Sequence, residues 1–173
     1  MNAIVKEFPG QEGTFYRTNL PEPVPGPGQV KIKVMAASIC ASDIHALYNG
    51  LMADRYRYPV IIGHEGAGVV VEVGEGVEDI RVGDRVTAET TLTSCGTCEY
   101  CRKGETNMCA SRKGLGSAAD GYFANYCIAS AKYCHKLADD LSFEEGALAE
   151  PFACVVHAVC NLTHPMAYRV DNA

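Results

Sequence analysis

No stretch of this chain approaches the ~20 consecutive apolar residues that a membrane-spanning helix needs. The opening run MNAIVKEFPG has no apolar core of the kind a secretory leader carries. Positive charge is scarce: 15 Lys and Arg stand against 21 Asp and Glu, a formal charge of −6, with no local Lys/Arg cluster to offset it. That balance argues against a nucleic-acid surface, which needs a basic patch. Internal repeats and low-complexity tracts are missing, and so is a nucleotide cradle. Gly74-Glu75-Gly76 and the run from Gly114 to Ala119 match glycine fingerprints in letters only. A true fingerprint follows a buried strand and opens a helix, so that the helix N-terminus meets the pyrophosphate. The second run instead follows a polar, cysteine-rich stretch and leads into Asp120-Gly121. These absences leave an acidic globular protein, and 173 residues suit one good-sized domain better than two.

Cysteine, in contrast, is abundant, and its arrangement is the most informative feature of the chain. Cys95, Cys98, Cys101 and Cys109 lie in the single run CGTCEYCRKGETNMC. Two Cys-x-x-Cys steps share Cys98, and ligands three residues apart approach one metal from a tight turn. The excursion to Cys109 lets the chain return to a fourth corner. A closed structural site of this kind takes a tetrahedral Zn²⁺ on four thiolates at about 2.3 Å. Gly96 and Gly104 supply the backbone freedom such turns need. Redox thiols and chance clustering are the competing readings, and the polar, turn-rich setting favours zinc. Nine cysteines is an odd number, and the clustered ones read as metal thiolates rather than a disulfide framework, which points to a reducing cytoplasm. Cys127, Cys134, Cys154 and Cys160 sit among apolar neighbours and are expected to be buried free thiols that pack.

The periodicity predicts a mainly β chain with short helices. Residues 3–5 are a brief apolar start, and PEPVPGPGQ at 21–29 is a stiff, helix-excluding loop. Val30, Ile32 and Val34 alternate with Lys31, Lys33 and Met35, a strand with one covered face. A short helix is expected at 42–48, capped by Ser42 or Asp43. Further strands are expected at 69–73, at 82–86 around a turn, and at 122–128. Ser142-Phe143-Glu144-Glu145 fits the capping-box pattern and opens a helix at 143–148. Beyond Pro151, the residues Phe152, Val155, Val156 and Val159 fall on one face of an amphipathic helix.

Three pieces outside the cysteine run carry metal-capable residues at the ends of strands or the starts of helices. They are Cys40 with Ser42, Asp43 and His45; His64-Glu65 between Gly63 and Gly66; and Glu150 between Ala149 and Pro151. Thiolate, imidazole and carboxylate together would leave an open, Lewis-acidic ion. Taken singly, each has a plainer reading: a core thiol, a turn with a solvated carboxylate, and for Ser42 and His45 a helix cap and a partly exposed helix residue.

The pieces gain meaning from their order. Cys40-x-Ser42-Asp43-x-His45, YPVIIGHEGAGVVVEVG from Tyr58, VGDRV at 82–86, the four-cysteine run and ALAEPFACVVHAV from Ala147 together resemble the zinc-containing medium-chain dehydrogenases. The EPFACVVHAV ending is similar to the polyol, butanediol and threonine dehydrogenase branch. The resemblance implies a GroES-like catalytic domain over residues 1–164, a strongly bent, barrel-like β unit. It implies two Zn²⁺ ions per chain. Cys40 and His64 would hold the catalytic one, with Glu65 beside it as an alternating ligand or a residue supporting the ligands, and Glu150 a direct or water-bridged one, while Cys95, Cys98, Cys101 and Cys109 would hold the structural one. Ser42 and His45 match the family's proton relay. Cys154 lies four residues past the matching ligand position and is read as helix core. His135, His157 and His164 match no ligand position.

The activity implied is NAD(P)-dependent oxidation of a secondary alcohol on a polyol-like substrate to a ketone. The substrate is a small alcohol or polyol, no membrane or nucleic acid is a partner, and the full-length enzyme is expected to be a homo-oligomer. Members of the family continue into a Rossmann domain. Here residues 165–173 are an unpatterned tail, so the coenzyme domain is expected to be absent and the chain a truncation. The competing readings are an inert zinc-binding remnant and an adaptor that uses the fold alone.

Overall fold

The computed structural model describes residues 1–48 and 53–163. The chain is mainly β, as its periodicity predicts. Among the described residues its strands form three sheets that do not close into a barrel. The largest is five-stranded, built around β3 (Gln29–Ser38) and β5 (Glu65–Val73). β9 (Tyr126–Ser130) flanks β3, and β6 (Arg85–Ala88) followed by β10 (Cys134–Lys136) flanks β5. A second sheet sets β1 (Ala3–Lys6) between β2 (Thr14–Arg17) and β4 (Val60–Ile61), and a short pair joins β7 (Thr91–Thr93) to β8 (Lys113–Gly114). All of these pairings are antiparallel. No helix among the described residues is long and apolar enough to cross a membrane.

The period-2 pattern of β3 becomes the core. Val30 and Ile32 are fully buried and meet Val70, Val86, Ala88, Ile80 and Ala129 in one cluster. Burying a side chain of this size contributes roughly 1.5–3 kcal/mol, so this cluster anchors the sheet. The strand at 82–86 begins later than its sequence suggests. Asp84 bends the chain first, its carboxylate accepting the Arg81 N–H at 2.8 Å while Gly83 takes φ +95°. The strand at 122–128 is also delayed, to 126. The N–H groups of Gly121, Tyr122 and Phe123 instead donate to the carbonyls of Ile61, Gly63 and Ile62.

Helix α1 spans Ala41–Tyr48, α2 Glu99–Arg102, α3 Phe143–Ala147 and α4 Ala149–Thr163. The capping box of α3 forms as expected: the Ser142 hydroxyl accepts the Glu145 N–H, and the Glu145 carboxylate accepts the Ser142 N–H. α3 lies across β3 and β5, and hands the chain to α4. The helical pattern of α4 is correct but its apolar stripe is uncovered among the described residues, with Phe152 69% and Val155 58% exposed. This corrects the expectation for the four scattered thiols. Cys127 is buried and Cys134 half-buried, but Cys154 and Cys160, carried on α4, are exposed. His164 and the tail at 165–173 lie outside the described residues.

One glycine decides how the chain enters β5. Gly63 takes φ +88°, and a Cβ there would lie 2.4 Å from the Phe123 ring. Gly76 also has positive φ, +76°, but open space around it. Gly63→Ala should therefore cost about 2–4 kcal/mol, combining left-handed strain and overpacking, and Gly76→Ala only about 1–2 kcal/mol. Urea denaturation of the two variants checks the difference.

Candidate metal centres and the cleft beside them

The register of the central ladder brings two distant sequence motifs together. Ser38, the last residue of β3, pairs with Glu65, the first of β5. The chain leaving β3 therefore reaches Cys40 beside the chain arriving through His64. The ligand atoms of Cys40, His64 and Glu65 all lie within 4.8 Å of one another. Thiolate, imidazole and carboxylate at that spacing suit a zinc ion with a position left over.

Two side chains that sequence reasoning did not assign to the site hold these groups in place. Asp43 is 2% exposed, and its Oδ2 accepts the Cys40 N–H at 3.1 Å. That is half of a capping box: Cys40 stands at the N-cap of α1, and the carboxylate three residues on reaches back to it. The sequence signal was available in the spacing from Cys40 to Asp43. The other oxygen, Oδ1, lies 3.5 Å from His64 Nδ1. One buried carboxylate thus fixes the backbone of one ligand and the ring of another, the usual second partner of a metal-binding histidine. Ser38 is the other: its hydroxyl donates to Glu65 Oε2. Burial alone would lower the His64 pKa, but the Asp43 carboxylate 3.5 Å away, with Cys40 beside it, overrides that and raises it to about 9.

The four cysteines of the single run also converge. Their sulfurs all lie within 4.8 Å of one another, and Cys95 Sγ is 3.8 Å from Cys101 Sγ. Four sulfurs at about 2.3 Å from a tetrahedral zinc would stand about 3.8 Å apart, so the donor set fits the ion. Backbone N–H groups point at the sulfurs: Cys98 N–H to Cys95 at 3.3 Å, Cys95 N–H to Cys109 at 3.4 Å and Cys101 N–H to Cys98 at 3.5 Å. N–H groups of Thr97 and Cys98 draw the Cys95 thiol down to about 5, whereas at Cys98 the Cys101 N–H is outweighed by burial and by the neighbouring sulfurs, which push that thiol up to about 11. Gly96 and Gly104, at φ +71° and +84°, make the turns that close the loop.

Between the two clusters runs a cleft of about 700 Å³. Ser42, His64 and Glu150 all line it, so it opens onto the mixed cluster. Glu150 faces this cleft from the first turn of α4, yet it stands outside the group formed by Cys40, His64 and Glu65. His45 is exposed, three residues beyond Ser42 on α1. Tyr56, which sequence reasoning also missed, lines the cleft. Burial, followed by the charges of Asp43, Tyr58 and Cys40, pushes its hydroxyl to about 12 and keeps it protonated. Cys154 is not helix core: its sulfur lies 3.7 Å from Glu150 Oε1, one helical turn away. His135 is exposed and meets Glu89 at 3.2 Å, and His157 lines a second groove along α4. The run from Gly114 to Ala118 forms a turn after the two-residue β8, and it lines the cleft.

Comparison with known proteins identifies the family of the fold. Residues 26–139 match the model of the alcohol dehydrogenase GroES-like domain. Sorbitol dehydrogenase of Halalkalibacterium halodurans is 47% identical over 159 residues, covering 92% of this chain and 45% of the relative. D-arabitol-phosphate dehydrogenase of Enterococcus avium is 42% identical over 95% of this chain and 46% of the relative. A zinc-binding dehydrogenase of Sinorhizobium meliloti, solved with NADP bound, superposes with a TM-score of 0.80 at 36% identity, covering 91% of this chain and 44% of that one. The chain spans about half the length of the curated relatives it matches.

In the metal-free protein the Asp43–His64 pair makes stability depend on pH. The folded pKa, about 9, lies above the ordinary value of 6.5. The stabilisation is therefore fully present below pH 6.5 and is lost as pH rises through about 9. Asp43→Asn should bring the His64 midpoint down and flatten that slope. NMR titration of the imidazole, with denaturation at several pH values, reads both.

Proposed function

The chain belongs to the zinc-type alcohol dehydrogenase family through its GroES-like domain, and from that premise we propose that residues 1–164 are the substrate-side catalytic domain of an NAD(P)-dependent oxidoreductase. It acts on a secondary alcohol of a polyol-like substrate and yields a ketone. The observation that carries this reading is the shared cleft: Ser42, His64 and Glu150 face one space, at the end of the sheet where Cys40, His64 and Glu65 gather. A closed four-thiolate site beside it has no part in chemistry and holds the lobe together. Sorbitol and arabitol-phosphate dehydrogenases among the relatives support the polyol class.

When bound at the mixed site, zinc supplies Lewis acidity toward an alcohol oxygen. Cys40 and His64 would hold it, Glu65 would serve as an alternating ligand or support the ligands from behind, and Glu150 would bind it directly or through water. The Ser42 hydroxyl receives the alcohol proton on the cleft wall and passes it outward to His45, three residues along α1. Tyr56, held neutral, donates a hydrogen bond to a substrate hydroxyl without titrating across the working range. The hydride acceptor is NAD(P), bound by a part of the enzyme other than residues 1–164.

Two measurements follow from this reading. Metal analysis during stepwise chelation should find two zinc ions per chain, the mixed-site ion leaving first because its site is open. A single zinc that disappears together with Cys98→Ser would remove the catalytic metal.

The second is activity in a chimera joining residues 1–163 to the coenzyme-binding half of the Halalkalibacterium sorbitol dehydrogenase. The chain by itself should show no micromolar binding of NAD⁺ or NADP⁺, and the chimera should oxidise vicinal diols and polyols ahead of simple primary alcohols. In the chimera Ser42→Ala should lower kcat on the order of 10²–10⁴-fold with zinc content intact. Glu150→Ala should lower kcat and loosen the mixed-site metal. Full activity and full zinc in Glu150→Ala would refute its ligand role.

A further inference from the structure

The Ser38 hydroxyl stands between two acceptors and has one proton to give. Glu65 Oε2 accepts it, and the carbonyl of Ala147 lies 3.4 Å away as a second acceptor. Both acceptors need a donor. Glu65 is 3% exposed, and a carboxylate taken out of water is costly unless it is paired. Ala147 is buried as well, and it closes α3, where the last carbonyls of a helix lack intrahelical partners. The N–H four residues on, which would continue the helical ladder back to Ala147, is missing because residue 151 is proline.

Both acceptors also belong to the surroundings of the mixed cluster. A carboxylate oxygen of Glu65 lies within 4.8 Å of the Cys40 sulfur and a His64 ring nitrogen, close enough to join them on an ion. Ala147 comes three residues before Glu150, which faces the cleft from the first turn of α4. The hydroxyl therefore links the two carboxylates of the site, one across the β3–β5 ladder and the other through the α3–α4 junction. A serine hydroxyl changes acceptor by turning about one bond. Donating to Glu65, it holds that carboxylate at the end of β3. Once Glu65 turns to an ion, the hydroxyl turns to Ala147, so that in each arrangement the carboxylate has a partner and the hydroxyl has an acceptor.

We propose that Ser38 is the latch on Glu65: its hydroxyl holds the carboxylate back from the mixed-site metal, leaving a position on that ion for substrate, and releases it by turning to the Ala147 carbonyl. The proposal rests on the reading of Cys40, His64 and Glu65 as a metal site, and deepens it by naming the residue that decides when Glu65 is a ligand. Ser38 is a positioning residue that acts through Glu65.

The test uses the 173-residue chain with zinc in the four-thiolate site and cobalt(II) exchanged into the mixed one, where its visible spectrum reports its ligands. Azide, a small anion that takes an open position on the ion, is titrated against that spectrum. Ser38→Ala strips Glu65 of its donor and should send it to the metal. Azide affinity should then fall about tenfold or more, the scale of a hydrogen bond to a charged group, and cobalt should pass more slowly to a chelator. Ser38→Thr, which keeps a hydroxyl, should return both values most of the way to wild type. Adding Glu65→Gln to Ser38→Ala should bring azide affinity back, because the competing carboxylate is gone. A packing role alone would loosen the metal in Ser38→Ala, with no reversal by Glu65→Gln. That result, or an unchanged azide affinity in Ser38→Ala, would overturn the latch while leaving the metal site standing. If the wild-type chain takes up no cobalt beyond the four-thiolate site, the mixed metal site itself is wrong and the latch falls with it.

Discussion

Because β3 runs antiparallel to β5 with Ser38 opposite Glu65, the two chain segments that carry the mixed cluster emerge side by side at one end of the sheet. Every other feature of the site is arranged around that end. α3 packs across the same two strands and delivers Glu150 from the start of α4, and Gly63 makes the turn that points His64 inward. A slip of one residue in this ladder would send alternate side chains of both strands to the opposite face. Burial of Val30, Ile32 and Val70 in the core resists such a slip. Hydrophobic packing in the middle of the sheet thus sets the geometry of polar chemistry at its edge.

The two clusters of metal-capable residues differ in how they are assembled. The four-thiolate lobe closes through local turns and backbone N–H groups directed at sulfur, within a segment of fifteen residues from Cys95 to Cys109. Little of the rest of the fold is needed to assemble it. The mixed cluster needs the fold, since its ligands come from two motifs more than twenty residues apart, and the buried Asp43 carboxylate is what couples them. Taking a carboxylate out of water is expensive unless it is paired. Asp43 is tolerated because it has the Cys40 N–H on one oxygen and the His64 ring facing the other.

The outer face of α4 has a different character. Phe152, Val155, Val156 and Val159 form a stripe at helical spacing that the described residues leave exposed. Its periodicity is that of a core-facing helix, and burial is a property of neighbours that periodicity does not contain. The same distinction explains Cys154 and Cys160: apolar flanking residues marked them as packed thiols, yet both are exposed on α4.

The sequence alone determined whatever depends on short-range spacing. The cysteine lobe, the capping box at Ser142, the β3 alternation and the membership of Cys40, His64 and Glu65 in one family pattern were all legible, because each is written within a few residues or in ordered motifs. Strand starts near 82 and 122 were misread, since Asp84 and the 61–63 segment capture backbone groups that local propensity would assign to a ladder. Tertiary structure alone decided which side chains share a space. It brought Asp43 under His64, set Ser38 against Glu65, and put Tyr56, Arg55 and Arg112 on one cleft in an acidic protein. These relations link positions that only the packing of strands and turns brings within reach, and no local pattern encodes a distance through space.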